Sequence, residues 1–531
     1  MSDISLGAAI ARYLKQHGVD VVFGIPGVHN IELYRGIEAA GIEHVLARHE
    51  QGAGFMADGY ARASGKPCVA FVITGPGVTN IMTPMGQAWT DSVPLLVISS
   101  CLPPDSAMPG QLHQMRDQTG AGEAVCDWSE MARDACHARA LLDRAFGEFE
   151  ARRPRPKHIT IPIDVLAGPG WDDGKTQPWA AGAVQAAAPQ QDAIGELASI
   201  INHADRPVFI FGGGARNASA AAREALALSG AAAFTTYAGR GVVDTAYPLN
   251  LGATLARPGS QEILEQADVV VVVGSELAEV DLWRAELGHR ATLARIDLDR
   301  AVLDDIHNAD IRIEARAEHA LPALNKLLQK HNPRWTAADL QAARAAFRSQ
   351  TLAERPAIAP FVDAMRQTLP DDIQIYSDMT QFAYVAKEIY PMSEPGLWHH
   401  PFGFGTLGYA LPAAIGGCMA SGGRPVVAVA GDYGFQYTIQ ELGVVAELSL
   451  PMVIVLWDNG KLKEIEDCMV RSQIKPNAVI ARNPDFGLLA ASYDIAYEKC
   501  DDPAAFSTAL LRALERTGPT LVHVAADPTV S

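Results

Sequence analysis

Short runs of β-branched and apolar residues recur along this chain and constrain its fold more than any other feature. Val69–Thr74, Leu95–Ser99, Val208–Phe211, Val269–Val273, Val426–Ala430 and Met452–Trp457 are apolar at nearly every position, so neither face is left for water. Such runs read as strands of parallel sheets covered on both sides. The segments between them are long enough for crossover helices, which makes the class α/β with βαβ units. At 531 residues the chain exceeds what one core can hold. Two stretches read as linkers: 167–191, rich in Gly, Pro, Ala and Gln, and 331–358, which carries Pro333 and Pro356. Cutting there predicts three doubly wound parallel-sheet domains over 1–166, 190–330 and 358–531. The first and third share a plan of strand, Gly-rich turn, helix, strand.

Charge and cysteine usage narrow the partners. Lys and Arg total 43 against 61 Asp and Glu, a formal net charge of −18. Nucleic acid and anionic membranes require a basic footprint, so neither is an expected partner. The seven cysteines form no Cys-x-x-Cys pair, which argues against a structural zinc site or a disulfide framework and fits a reducing compartment. No signal peptide or bilayer-spanning apolar segment is visible, so a cytoplasmic location is expected.

The chemistry concentrates in the third segment. The strand Val426–Ala430 runs into Gly431-Asp432-Tyr433-Gly434, and the strand Met452–Trp457 runs into Asp458-Asn459-Gly460. Each turn alone reads as an ordinary β-turn. Together, 27 residues apart and each behind a buried strand, they would emerge side by side at the carboxyl edge of a sheet, where open α/β folds bind ligands. Hard oxygen donors such as Asp432 and Asn459 suit Mg²⁺, and glycines let backbone N–H groups approach a diphosphate. In the first segment, Arg48-His49-Glu50-Gln51 opens a helix rich in small residues. A carboxylate there is at the least a helix-dipole partner.

These motifs resemble those of the thiamine diphosphate-dependent enzymes of the acetolactate synthase, pyruvate decarboxylase and benzoylformate decarboxylase type. The chain departs at Tyr433, where that family usually has a second Gly, and Gly434 stands one place later. The resemblance implies a pyrimidine-binding first domain, a Rossmann-like central domain and a diphosphate-binding third domain. It implies that Asp432, Asn459 and the carbonyl of Lys461 hold Mg²⁺, with Asp458 outside the ligand set. Glu50 would pair with a ring nitrogen of the aminopyrimidine. Gly403-Phe404-Gly405-Thr406-Leu407-Gly408 matches the family stretch in which Leu407 supports the bent cofactor while Gly405 and Leu407 bind the pyrimidine through their backbone. Glu50 and the metal motif would then come from different subunits, so a homodimer or homotetramer is expected. Because Gly274-Ser275 is followed by Glu-Leu-Ala-Glu, the FAD-binding pattern of acetolactate synthases is not matched, and a structural role is expected for the central domain, with a nucleotide effector as the alternative.

By family position the substrate pocket would be lined by Ile25 to Val28, Thr74, His113 and Gln114 and by the helix after Lys461. His113 would be a proton carrier, although a lone His is as readily a satisfied residue. Glu464, Asp467 and Cys468 would share a helix face. That face is either a solvated acidic surface or a recognition site for a cationic tail, bidentate toward a guanidinium. Within the family, Phe23–His29, Arg48–Arg62 and Gly431–Tyr437 resemble the 5-guanidino-2-oxopentanoate decarboxylases. The expected reaction is non-oxidative decarboxylation of a 2-keto acid to an aldehyde. The alternatives are an acetolactate synthase-like carboligase without FAD and a catalytically inert cofactor-binding regulator.

Overall fold

The computed structural model describes residues 4–104, 108–171, 188–480 and 482–526. Among them are three six-stranded, wholly parallel sheets with helices between the strands. The first comprises β1 (Val21–Gly24), β2 (Glu43–Leu46), β3 (Cys68–Val72), β4 (Leu95–Cys101), β5 (Trp128–Met131) and β6 (Lys157–Pro162), in the spatial order β2-β1-β3-β4-β6-β5. The central sheet comprises β7 (Pro207–Phe211), β8 (Ala232–Thr235), β9 (Asn250–Gly252), β10 (Val269–Val273), β11 (Thr292–Asp297) and β12 (Ile311–Glu314), ordered β12-β11-β10-β7-β8-β9. The third comprises β13 (Gln374–Ser377), β14 (Trp398–His399), β15 (Val426–Gly431), β16 (Met452–Asp458), β17 (Ala496–Cys500) and β18 (Thr520–Ala525), ordered β14-β13-β15-β16-β18-β17.

The central order is the dinucleotide-fold arrangement, with its reversal between β7 and β10. The first and third orders are identical to each other, so the shared plan expected from the sequence extends to the whole sheet. Every residue of β3, β7 and β10 is buried, as the absence of a polar face in those runs requires.

The helix Glu50–Ser64 lies across the helix Ala410–Ala420 at very close range. A Cβ on Gly59 would stand 1.9 Å from the carbonyl oxygen of Ala413, and one on Gly416 would stand 1.9 Å from that of Met56. The small residues in both helices permit this crossing, which joins the first and third sheets through a common apolar core. Polar ties reinforce it. Tyr409 Oη donates to Asp58 Oδ1 (2.7 Å), Tyr376 Oη donates to the Gly59 carbonyl (3.0 Å), and Arg62 pairs with both Asp58 and Asp91.

The stretch 331–358 departs from the expectation of an open connection. It contains an 18-residue helix, Ala337–Glu354, capped by Thr336, whose Leu340 and Phe347 pack into the central domain's core. Prolines flank this helix rather than interrupt it, and its apolar positions are too sparse to stand out from the sequence. The other linker stretch, 167–191, lies mostly outside the described residues. All seven cysteines are free thiols, and among the described residues no helix is long and apolar enough to cross a membrane.

Candidate functional site

In both outer domains the order of strands reverses beside the first strand, at β1/β3 and at β13/β15. Strand ends diverge there and leave a crevice at the carboxyl edge. Chemically active side chains gather at both places.

At the first crevice, Glu50 begins its helix behind the N-cap His49, whose Nδ1 accepts from the Gln51 N–H. Glu50 is buried, with 8% of its surface exposed, and its Oε2 accepts from Asn80 Nδ2 at 2.9 Å. A Cβ on Gly77 would stand 3.4 Å from Glu50 Oε1, so this glycine keeps the carboxylate's surroundings open. The helix start is tied to the third domain by Glu441, which is fully buried and accepts from the backbone N–H of Arg48 (3.1 Å) and of His49. Burial pushes the Glu441 carboxyl up to about 7, against the pull of those two N–H groups.

Of the other residues expected near this crevice, His113 has a left-handed backbone (φ 59°) and sets its ring edge-on to His29 at 5.1 Å. Its carbonyl would lie 2.4 Å from a Cβ on Gly75, so Gly75 (φ 69°) is required there. Burial, and next the charge of His113, hold His29 below its ordinary range. The His29 Nδ1 and Tyr34 Oη atoms are buried without a hydrogen-bond partner. Val28 is exposed. Gln114 is also exposed and accepts from the Gly110 N–H. Thr74 turns inward: it is 1% exposed and bonds to Ser100 Oγ through both its N–H and its hydroxyl. In this structure Thr74 braces the β3–β4 edge instead of lining an open pocket.

The third crevice is organised by Asp378, a buried residue just past β13. Burial pushes its carboxyl up to about 6, while the backbone N–H groups of Met379, Gly408 and Tyr409 pull it down. Asp378 therefore anchors the loop that carries Gly405 and Leu407. A Cβ on Gly434 would lie 2.7 Å from Asp378 Oδ2 and 3.4 Å from Leu407 Cδ2. The glycine at 434 is thus the one that packs under this loop. Tyr433, partly exposed, sets its ring beside Tyr437 instead.

Asp432 is 3% exposed. Burial, with the neighbouring charge of Asp458 adding to it, raises its carboxyl to about 6 against a hydrogen bond from Asn483. Asn483 Nδ2 bridges Asp432 Oδ2 (2.7 Å) and Asp458 Oδ1 (2.8 Å), and its own Oδ1 accepts from Gln436 Nε2. Asp458 also accepts from His523 Nε2 at 3.0 Å. Burial pushes Asp458 up, but His523 and the N–H donors outweigh it and leave its carboxyl low. Asp458 is thus coupled to Asp432 through Asn483, a link the sequence reading did not include. Asn459 is 7% exposed and its Oδ1 accepts from the Lys461 N–H at 3.3 Å, while Lys461 forms an isolated antiparallel bridge with Ile480. Two oxygen-bearing side chains, a buried carboxylate and adjacent turn carbonyls fit a small hard cation. Among the described residues no group of three or more His, Cys, Asp or Glu is arranged to hold a metal ion, so a cation here would draw on Asn459 and backbone carbonyls besides Asp432.

The helix Lys463–Arg471 lies beside this crevice. Gln381, which opens the helix after β13, donates from Nε2 to Glu464 Oε2 (3.1 Å) and more distantly to Asp467 Oδ2 (3.4 Å). Arg355 Nη2 also donates to Glu464 Oε2, at 2.6 Å. Cys468 is exposed and takes no part in these bonds through its side chain. Asp378, Gln381, Glu441, Asn483 and Arg355 were all absent from the sequence reading. Only Asp378, an acid directly after a strand, left a local signal.

Among the described residues no hydrogen bond or ion pair joins Glu50 to Asp432. Each belongs to its own crevice. A third cavity, of about 470 Å³, lies at the carboxyl edge of the central sheet, lined by Gly213, Arg216, Ser275 and Asp297 with Arg62 and Asp91 opposite. None of Glu50, Asp432 or Asn459 reaches it.

Family models match in the same three-part arrangement: the N-terminal TPP-binding domain of thiamine pyrophosphate enzymes over residues 4–121, their central domain over 194–324, and their C-terminal TPP-binding domain over 378–524. The chain belongs to the thiamine pyrophosphate enzyme family. It is similar over its whole length to other members. It is 40% identical to a probable 2-ketoarginine decarboxylase, AruI, of Pseudomonas aeruginosa, covering 98% of this chain and 94% of that one. It is 32% identical to the acetolactate synthase isozyme 1 large subunit of Escherichia coli, covering 98% and 93%, and 28% identical to the acetolactate synthase large subunit of Lactococcus lactis, covering 97% and 91%. As a thiamine pyrophosphate enzyme, the chain has its two cofactor-binding domains in the two outer sheets, where the crevices lie.

Proposed function

We propose that this enzyme decarboxylates a 2-keto acid with a cationic tail, releasing CO₂ and an aldehyde, in the cytoplasm and with Mg²⁺. The observation that carries the reading is the division of labour between two equivalent crevices. One holds an isolated buried carboxylate at a helix start, and the other holds a cluster of oxygen donors beside a glycine-lined loop. The 40% identical relative named for 2-ketoarginine decarboxylation supports the reaction class.

The roles follow from side-chain chemistry. Asp432, Asn459 and the carbonyl of Lys461 would hold the metal, and Gly431 and Gly434 leave room for diphosphate oxygens to reach backbone N–H groups. Asn483 would orient Asp432, as partners of metal-binding carboxylates do. Leu407 and the backbone of Gly405 would support the cofactor's two rings. Glu50, shielded from water, would hold a proton at a pyrimidine ring nitrogen. Thiamine diphosphate, when bound, supplies the carbon nucleophile and the electron sink that decarboxylation needs. His113, beside the Gly75 turn, would carry the proton delivered to the product carbon. Glu464 and Asp467 would receive the substrate's cationic tail by charge-assisted hydrogen bonds. Because Glu50 and Asp432 sit in separate crevices of one chain, each complete site would combine Glu50 of one protomer with the metal motif of another, in a homodimer or homotetramer.

The test is CO₂ release and aldehyde formation from 2-keto acids with guanidinium, ammonium, aromatic and short aliphatic tails, with cofactor and Mg²⁺ and again with chelator. The reading expects the highest kcat/KM for a cationic tail and no turnover in chelator. Preference for an uncharged acid would overturn the tail assignment. The 32% identical acetolactate synthase favours one second reading, carboligation. A coupled product in place of the aldehyde, when an acceptor carbonyl is added, would establish it.

A further inference from the structure

Glu464 and Gln381 meet beside the metal motif, and a residue of this chain already engages Glu464. Arg355, at the carboxyl end of the helix Ala337–Glu354, donates Nη2 to Glu464 Oε2 at 2.6 Å, and its side chain is only 20% exposed. The contact uses one guanidinium nitrogen. Its Nη1 stands 3.8 Å from Glu354, and its plane lies over the Tyr384 ring with 5.8 Å from Cζ to the ring centre. Glu464 Oε1 has only the exposed Arg471 at 3.5 Å. Gln381 is 6% exposed, and its Oε1 is buried without any partner. Among the described residues Gln381 Oε1 therefore lacks a donor, while Glu464 has one oxygen held by Arg355 and the other reached by the exposed Arg471 at 3.5 Å.

We propose that Arg355 is an internal stand-in for the substrate's tail, a residue that neutralises Glu464 in the empty enzyme, yields to an incoming guanidinium and so sets the KM for cationic substrates. This rests on the cationic-tail reading above. The physical need is plain. Burial works against an ionised Glu464, and a partly buried carboxylate without a counter-charge is costly. Arg355 meets that need with a single-point contact. A substrate guanidinium, planar and with five donors, can bridge both Glu464 oxygens or reach Gln381 Oε1 as well. Arg471 reaches Glu464 from the exposed side, while Lys463 is committed to Asp467 and Glu466. An uncharged substrate cannot replace Arg355 and gains nothing from displacing it. A neutral keto acid therefore leaves Arg355 in place, and its KM does not depend on that residue.

The consequence is measurable, because an occupied subsite lowers apparent affinity by the fraction that is free. If Arg355 holds Glu464 about nine-tenths of the time, Arg355→Gln lowers KM for 5-guanidino-2-oxopentanoate about tenfold, leaves kcat within about twofold, and leaves KM for 2-oxohexanoate unchanged. Glu464→Gln raises KM for the guanidino acid alone. A parallel titration of methylguanidinium into wild-type holoenzyme and the Arg355→Gln variant, followed by calorimetry, needs no turnover, and Arg355→Lys, which keeps the charge, is expected to bind the probe as wild type does. An unchanged or raised KM together with no tighter methylguanidinium binding in Arg355→Gln would overturn the proposal. Tighter probe binding in a variant that still refuses every cationic keto acid would uphold Arg355 as occupant and sink the substrate assignment instead.

Discussion

The first and third domains thread six strands in the same order, β2-β1-β3-β4-β6-β5 and β14-β13-β15-β16-β18-β17, and yet they bring opposite chemistry to the same place in that order. At the β1/β3 reversal there is one buried carboxylate, Glu50, held by a neutral amide, Asn80. At the β13/β15 reversal there are Asp378, Asp432 and Asp458, braced by Asn483, His523 and three backbone N–H groups. The comparison teaches that topology decides where a crevice opens, while side chains decide what it can bind. A single buried carboxylate held by a neutral amide suits proton work on a ring nitrogen. A group of oxygens with fixed orientation suits a cation and its phosphates.

The comparison is broken most directly at Glu50. Glu50→Gln is expected to lower kcat by about 10²- to 10⁴-fold with little change in cofactor affinity, measured by steady-state CO₂ release and calorimetry. Equal activity in the variant would remove the first crevice from the reaction.

Glu441 couples the two halves, and its removal shows as a pH effect. Below an ordinary carboxylate pKa near 4.5 this group is protonated whether the chain is folded or not. Between there and about 7 the folded chain keeps a proton that the unfolded chain has released, so wild-type stability falls as pH rises through that window. Glu441→Gln retains an acceptor for the Arg48 N–H but lacks this slope. Its advantage over wild type is expected to grow by on the order of 2 kcal/mol between pH 4.5 and 8, read from denaturant midpoints. A constant offset across the range would mean that Glu441 does not titrate there.

The third crevice is sharpened at Asn483. Asn483→Ala frees the two carboxylates it bridges and is expected to weaken Mg²⁺ binding by about tenfold to a hundredfold, with Glu50-dependent steps untouched at saturating metal. The smallest effect concerns the join between the domains. Gly59→Ala places a methyl group against the Ala413 carbonyl and is expected to lower stability by about 1–3 kcal/mol, seen as a lower thermal midpoint without a change in the KM of the surviving enzyme.

Much of this arrangement was readable before any fold was known. Runs such as Val269–Val273 have no polar face, so they had to be covered on both sides, and with helical segments between them this points to parallel sheets. Asp432 and Asn459 each follow such a run directly, and Glu50 opens a helix of small residues, so local order along the chain marked all three. The helix Ala337–Glu354 escaped notice because its buried face is narrow: Leu340, Phe347 and Thr351 are its buried positions among eighteen. Thr74, Cys468 and Glu464 show the other boundary. The family resemblance placed them near a pocket, but whether each side chain turns inward, outward or toward a partner depends on neighbours far away in the chain.

The sequence by itself determined the class of fold and marked Glu50, Asp432 and Asn459 as candidates, because these follow from periodicity and from residues adjacent along the chain. Only the tertiary structure decided that Asn483 bridges Asp432, 51 residues away, and Asp458, 25 away, that Glu441 grips the start of the Glu50 helix across 393, and that Arg355 reaches Glu464 across 109. The physical reason is that a hydrogen bond or ion pair depends on distances of about 3 Å in space, and separation along the chain carries no information about those until the sheets and helices have packed.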